Sequence, residues 1–151
     1  MLFDRNELAK KVFAFNVCGN VPLYLEINQF DQFCFDSPCS EQSILVASAP
    51  KTLVHDVTGF WLFTMLAHDW SGREKYFKPY AETALVQDLP EDDYLGVIAV
   101  RTGRLRRTKP ECIDRPSGFI AALKMYDDWN DVATIAEYDS LFVAFYWCTT
   151  A

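Results

Sequence analysis

Two apolar segments near the end of the chain restrict its fold more than any other feature. Residues 132–138 and 141–148 are rich in β-branched and aromatic side chains, and only Asp139 and Ser140 separate them. Such a pair predicts two antiparallel strands joined by a tight turn. Residues 141–148 are apolar at both odd and even positions, so both faces of that strand must be buried. The pattern therefore predicts an antiparallel sheet in which the last strand is central.

Patterns in the first part of the chain predict both a helix and strands. Asp4 and Glu7 have the spacing of a capping box, and apolar residues follow at helical intervals, which predicts a helix over residues 5–15. Apolar and polar residues alternate over residues 21–27, and this period of two predicts a strand. A short apolar run after a turn-rich stretch predicts a further strand over residues 43–48.

The middle of the chain has less specific patterns. Residues 51–70 fit either a buried helix or a central strand, and the Met, Leu and Ala near their end favour the helix. Residues 71–78 are polar and predict a loop. Residues 80–87 predict a short helix that ends before a proline.

Two more elements are predicted ahead of the final strands. Residues 94–101 are rich in β-forming residues, Thr102-Gly103 marks a turn, and residues 104–108 complete a predicted hairpin. Ser117 is a suitable cap for a helix that continues to Trp129. Together the patterns predict one α+β domain over the whole chain of 151 residues. In it, a mostly antiparallel sheet with C-terminal hairpin strands packs against about three or four helices.

Cysteine content and hydropathy bear on where the protein works. The chain has five cysteines, an odd number that excludes complete pairing, and their apolar neighbours predict reduced, mostly buried thiols. Charged residues interrupt the first fifteen positions, which leaves no apolar segment for a signal peptide. The longest apolar run, residues 59–67, is far shorter than the ~20 residues that span a bilayer. We therefore expect a cytoplasmic protein that does not contact a membrane.

Residues that support catalysis or metal binding are few and widely spaced. A zinc site would draw on Cys34, Cys39, His55 and His68, but the long interval between the two histidines does not match a zinc finger. The six glycines are dispersed, so no phosphate-binding loop is present, and no nucleophile elbow occurs. We expect no metal, no cofactor and no catalytic residue.

One short segment carries a high density of positive charge. Between positions 101 and 109 there are five basic residues and no acid: Arg101, Arg104, Arg106, Arg107 and Lys109. One interpretation is an anion-binding hairpin that grips a phosphate or an acidic partner. The alternative is a solvated arm whose arginines pair with the protein's own carboxylates. The composition leaves both open.

The acidic residues also cluster, and the formal net charge is −7. One group lies near Pro90 and another surrounds Trp129: Asp88, Glu91, Asp92 and Asp93, then Asp127, Asp128 and Asp131, with Tyr126 just before. An exposed aromatic ring surrounded by carboxylates favours docking of a cationic protein surface. Trp129 fits equally well as the last core contact of its helix. A net charge of this sign makes direct binding to nucleic acid unexpected.

In size, acidity and lack of cofactor motifs, the chain resembles the immunity proteins that bacteria make against their own toxins. The resemblance implies a non-catalytic inhibitor, active in bacterial competition, that covers the active site of a basic toxin domain such as a nuclease. Acidic side chains would then take the place of the substrate's phosphates. The expected contact residues are Asp92, Asp93, Asp127, Asp128 and Asp131, with Tyr126 and Trp129 as anchors.

Two other functions remain as hypotheses. The chain could be a small enzyme or ligand-binding protein with a pocket near residues 60–68, in which His68, Asp69 and a cysteine would act. It could also be a phage or accessory protein that binds host machinery through residues 101–109. The sequence does not indicate an oligomeric state.

Overall fold

A six-stranded antiparallel sheet forms the centre of the computed structural model, which describes Met1, residues 3–36 and residues 41–150. In chain order its strands are β1 (Glu26–Phe30), β2 (Gln42–Pro50), β3 (Gln87–Asp88), β4 (Phe119–Asp128), β5 (Asp131–Tyr138) and β6 (Leu141–Thr149). They are arranged in the order β1-β2-β6-β5-β4-β3, so β6 lies between β2 and β5. The predicted antiparallel sheet, its C-terminal hairpin and the central position of the last strand are confirmed.

Helices cover both faces of this sheet. On what we term the α1–α3 face lie α1 (Arg5–Ala14), α2 (Val57–Met65) and α3 (Phe77–Glu82), and on the α4 face lie α4 (Glu91–Thr102) and α5 (Glu111–Asp114). Side chains of β6 alternate between them: Phe142, Ala144 and Tyr146 belong to the core of the α1–α3 face. Val143 and Phe145 belong to the core of the α4 face. The α+β class is confirmed, with five α-helices in the described part of the chain.

Three predictions in the first half of the chain are confirmed. Residues 5–14 form α1, and the Asp4 side chain accepts hydrogen bonds from two backbone N–H groups of the first turn. The strand predicted at residues 43–48 lies within β2. The ambiguous segment at 51–70 contains α2, and Asp56 caps it by accepting a 2.7 Å hydrogen bond from the Gly59 N–H. Because nearly every residue of α2 is buried, its sequence has no polar face to reveal its period.

The strand predicted over residues 21–27 is wrong in position, because β1 begins only at Glu26. Residues 23 and 24 form a turn, closed by a 3.1 Å hydrogen bond from the Leu25 N–H to the Pro22 carbonyl oxygen. Leu25 is buried, whereas Leu23 is fully exposed. The alternation does not follow the burial, because Tyr24, at a position predicted to face solvent, also packs against the core.

The hairpin predicted over residues 94–108 is wrong, because residues 91–102 form α4. The acidic residues after Pro90 fill the first turn of this helix, where they interact favourably with its dipole. Tyr94, Ile98 and Thr102 are buried at intervals of four, which is a helical period. The β-forming residues between them are largely exposed, so their propensity does not decide the structure.

The helix predicted from Ser117 to Trp129 is also wrong, because residues 119–128 form β4. This strand pairs with β5 over most of its length and with β3 at Leu123 and Lys124. The spacing of its apolar side chains fits a helix as well as it fits a strand. Pairing with β5 therefore overrides the local pattern. The predicted loop at 71–78 and helix at 80–87 are each correct only in part, because α3 spans residues 77–82.

Candidate functional site: an acidic cleft beside Trp129

A cleft of about 620 Å³ lies at the end of the sheet that holds the β4–β5 turn. Antiparallel pairing brings to this end the start of β2, the start of β5 and the ends of β1 and β6. Residues from the segment that follows α2, between 67 and 73, and Tyr80 of α3 form another part of the lining. The fold therefore gathers side chains that are far apart in the chain, from Gln29 to Thr150.

A β-bulge in β4 turns Tyr126 toward the α1–α3 face. The register with β5 shifts between Lys124 and Tyr126, and Met125 and Tyr126 are both buried on that face. Tyr126 stacks on Tyr80 with 4.3 Å between ring centroids, and its hydroxyl donates a 2.6 Å hydrogen bond to the Tyr80 carbonyl oxygen. These contacts hold α3 beside the cleft. Tyr126 is predicted to anchor a partner, but its ring is only 4% exposed and does not lie at the surface.

Asp131 places a half-buried carboxylate in the cleft. The Tyr80 hydroxyl donates a 2.9 Å hydrogen bond to its Oδ2, and no Lys or Arg of the described residues forms an ion pair with it. Burial raises the pKa of Asp131, and the nearby charge of Asp128 raises it further, although the hydrogen bond from Tyr80 lowers it. The surroundings therefore leave this negative charge largely uncompensated.

His68 contributes a neutral imidazole to the lining of the cleft. Its ring packs edge-to-face on Tyr146, with 4.8 Å between centroids. Burial lowers the pKa of His68 to about 4, and the positive charge of Arg73 lowers it further. The ring as a whole is half-buried, but its Nε2 is enclosed and has no hydrogen-bond partner among the described residues. This nitrogen is therefore a buried polar atom that the described residues leave unpaired, which is unfavourable.

The cleft is lined by more negative than positive charge. Asp31 and Asp69 are exposed, and each accepts a hydrogen bond from the backbone N–H two residues later, at 3.0 and 2.9 Å. The hydrogen bonds that Asp69 accepts lower its pKa. The guanidinium of Arg73 lies 5.9 Å from the centroid of the Trp70 ring and donates to the Asp69 carbonyl oxygen. With Asp131, three carboxylates and one guanidinium therefore line the cleft.

The β4–β5 turn exposes the indole of Trp129 next to this cleft. Trp129 and Asn130 form the turn, and Trp129 is 73% exposed. A backbone N–H of β6 donates a 3.1 Å hydrogen bond to the Asn130 carbonyl oxygen, which holds the turn in place. Asp128 is exposed, and Asp127 forms a 2.7 Å ion pair with Lys124. Trp129 is therefore a surface residue, and the alternative that it is the last core contact of a helix is wrong.

The two acidic groups of the sequence do not form one surface. Asp92 and Asp93 are exposed in the first turn of α4, which packs on the α4 face. Tyr80, which contacts Asp131, belongs to a helix on the opposite face. The structure thus brings Asp128 and Asp131 to the cleft end of the sheet but places Asp92 and Asp93 on another element.

The basic segment at 101–109 does not form the predicted anion-binding hairpin. Arg101 lies in the last turn of α4, with its guanidinium 4.5 Å from the centroid of the Trp147 ring. Arg106 forms a 3.0 Å ion pair with Asp36. Two further arginines are exposed and form no ion pair with the described residues: Arg104 and Arg107. Pairing with the protein's own carboxylates therefore holds for Arg106 and not for the whole segment.

The histidines and cysteines do not converge. His55 is exposed and lies beside α1 and α2, whereas His68 lines the cleft, and Cys39 lies outside the described residues. No cluster of three or more His, Cys, Asp or Glu side chains in the described parts of the chain could hold a metal ion. The described cysteines are free thiols, as predicted, but Cys18 and Cys148 are exposed, so the prediction of mostly buried thiols is wrong.

The pocket expected near residues 60–68 corresponds to two separate clefts: a second one, of about 380 Å³, lies between α1 and α2 and is lined by Phe60, Leu62 and Phe63. Of the same segment, Ala67 and His68 line the acidic cleft beside Trp129, so His68 does not share a cleft with Phe60. Sequence reasoning missed Tyr80 and Tyr146, because nothing near them in the sequence connects them with Asp131. The nearest available signal is the density of aromatic residues, which does not specify which rings meet.

Neither known proteins nor the hydropathy of the helices indicates a function for this chain. Comparisons with protein-family models, with curated proteins and with solved structures gave no match. Within the described residues, no helix has the length and apolar character needed to cross a membrane. The cleft and Trp129 are the features on which a functional proposal rests.

Proposed function

We propose that this chain is a non-catalytic binding protein that inhibits a basic protein partner, in the manner of a bacterial immunity protein. One observation carries the proposal: Trp129 is 73% exposed on a two-residue turn between Asp128 and the acidic cleft. An exposed indole offers a large contact area at a small loss of side-chain entropy, and indoles are enriched among the residues that dominate binding energy. Carboxylates around it attract and orient a basic surface.

The charge of the molecule fits a partner of opposite sign. The formal net charge is −7, and most of the cleft's charged side chains are carboxylates. Such a field accelerates association with a basic protein and repels nucleic acid. A basic nuclease toxin domain is a partner of this kind, because its active site is positively charged to bind phosphates. We place the encounter in the cytoplasm, where an immunity protein protects the bacterium that makes it.

The docking surface includes only some of the acidic residues that the sequence predicted as contacts. It comprises Trp129, Asp128 and Asp131, with Asp127 at its margin because Lys124 already pairs with that carboxylate. Asp92 and Asp93 lie on the α4 face and form no part of this surface. They provide a control with the same chemistry in another place.

Affinity capture from the native host at low ionic strength tests the proposal. The baits are the wild type, the double variant W129A/D128K, and the control D92K, which changes the net charge by the same amount. We expect the wild type and D92K to retain one basic protein that W129A/D128K loses, and we expect the wild type to inhibit that protein's activity. Retention of the same proteins by all three baits, or inhibition that survives in W129A/D128K, would contradict the proposal.

A further inference from the structure

Two polar groups in the cleft are not satisfied by the protein itself. Asp131 Oδ2 accepts a hydrogen bond from Tyr80, but Oδ1 accepts none from the described residues. His68 Nε2 is enclosed without a hydrogen-bond partner in the same part of the chain. Proteins seldom leave an enclosed polar atom such as His68 Nε2 unpaired. Asp131 is only half-buried, so its Oδ1 can accept a hydrogen bond from a ligand. Both groups belong to the lining of one cavity of about 620 Å³, a volume within the range of ligand sites.

The remaining lining favours a planar cation. Aromatic rings form much of it, including Trp70, Tyr80 and Tyr146. The faces of such rings attract cations, and a guanidinium can also stack on them. The cleft already shows this contact once, because the guanidinium of Arg73 lies over the Trp70 ring. Two exposed carboxylates, Asp31 and Asp69, add negative charge at the same cavity.

We infer that the cleft receives the guanidinium of an arginine side chain from the basic partner, with Asp131 as its ion-pair acceptor. The inference rests on the proposed function, and it names the chemical group that the docking surface recognises. The guanidinium donates to the free Oδ1 of Asp131 while its plane packs on the aromatic lining. Trp129 then contacts the partner's surface around that arginine.

A blocked arginine tests the cleft without the partner. The probe is N-acetyl-arginine N-methylamide, and the matched neutral probe is N-acetyl-citrulline N-methylamide, which has nearly the same shape. We expect the arginine probe to bind with a Kd on the order of 1 mM, as its size allows. NMR titration should shift the resonances of His68, Trp70 and Asp131. The citrulline probe should bind at least tenfold more weakly, because it lacks the charge.

Two variants locate the acceptor. D131N should weaken binding of the arginine probe at least tenfold, because it removes a charge-assisted hydrogen bond. D92N removes the same charge from an exposed residue of α4 that does not line the cleft, and it should change the Kd less than twofold. Thermal unfolding of D131N shows whether the variant is folded. The chemical-shift map of the wild type places the probe independently of either variant.

The outcomes separate this inference from the proposed function. Equal binding of the arginine and citrulline probes overturns the arginine site, as does no binding of either at 20 mM (about twenty times the expected Kd). An equal loss of affinity in D92N and D131N overturns it too. A free cation such as agmatine that binds tenfold more tightly than the blocked arginine also overturns it, in favour of a small-molecule site. The proposed function is judged separately, by whether W129A/D128K loses the captured partner.

Discussion

The hydroxyl of Tyr80 donates a 2.9 Å hydrogen bond to Oδ2 of Asp131 and thereby joins α3 to the start of β5. The Asp131 carboxylate is half-buried and has no ion-pair partner among the described residues. The bond from Tyr80 is the one hydrogen bond that these residues donate to it. Burial raises the pKa of Tyr80 as well, and the charge of Asp131 raises it further, so the phenol remains the donor. A half-buried carboxylate without an ion-pair partner does not stabilise the fold, which suggests that Asp131 has a binding role.

Replacement of Asp131 by Asn should leave the free energy of unfolding at pH 7 unchanged or higher. The folded-state pKa of Asp131 is raised, so its ionisation is less favourable in the folded than in the unfolded protein. Its contribution to stability is fully present below the unfolded pKa of about 3.9 and is lost as the pH rises through the folded value. Urea unfolding should show that the free energy of unfolding of D131N, relative to the wild type, is higher at pH 7 than at pH 4. A loss of more than about 1 kcal/mol at pH 7 would indicate a structural role.

His68 should make the protein less stable in acid. Its folded-state pKa is about 4, against 6.5 for the free side chain, so the unfolded chain takes up a proton first as the pH falls. The stabilising contribution is fully present above pH 6.5 and declines by roughly 3 kcal/mol as the pH falls to about 4. Urea unfolding of H68F across this range should show a flatter profile.

Trp129 and Trp61 should respond in opposite ways to replacement by alanine. Trp129 is 73% exposed, so W129A should change the free energy of unfolding by less than about 0.5 kcal/mol. Trp61 is fully buried, and W61A should lower that free energy by about 3–5 kcal/mol. Chemical denaturation gives both values. A loss of 2 kcal/mol or more in W129A would show that its ring supports the fold and is not held for a partner.

Replacement of Gly118, which precedes β4, by alanine should destabilise the protein. Its φ is +73°, and an added Cβ would overlap the carboxylate of Asp139, whose N–H donates a 2.9 Å hydrogen bond to the Gly118 carbonyl oxygen. We expect G118A to lower the free energy of unfolding by about 1–3 kcal/mol. Gly72 is the matched control, with a φ of +72° and no atom near the position of a Cβ. G72A should show only the smaller backbone effect, and an equal loss in both variants would argue against the overlap.

The sequence specified the sheet better than the elements around it. Residues 141–148 are apolar on both faces, and only a central strand buries both. Residues 94–101 and 119–128 have compositions that fit helix and strand alike, so their structure depends on tertiary partners. Tyr94 and Ile98 pack on the sheet only as parts of a helix, and β4 pairs with β5. Such contacts are formed between distant segments and leave no local pattern.

The candidate site was predicted in part. Trp129, Asp128 and Asp131 lie close together in the sequence and again in the structure, because a two-residue turn joins β4 to β5. The cleft beside them was not predicted, since Tyr80, His68 and Tyr146 come from three separate elements. Tyr126 does not anchor a partner as predicted, because a single bulge in β4 moves its ring into the core. A bulge of one residue leaves no recognisable sequence pattern here.

The central claim is that the surface around Trp129 and Asp131 captures a basic protein. The most direct test is the rate of association between this chain and the captured partner, measured by stopped flow at increasing ionic strength. We predict that the rate falls at least tenfold between about 20 and 200 mM salt, and that D128K lowers the rate at low salt while D92K has a smaller effect. A rate that is independent of salt, or equal for D128K and D92K, would contradict the account.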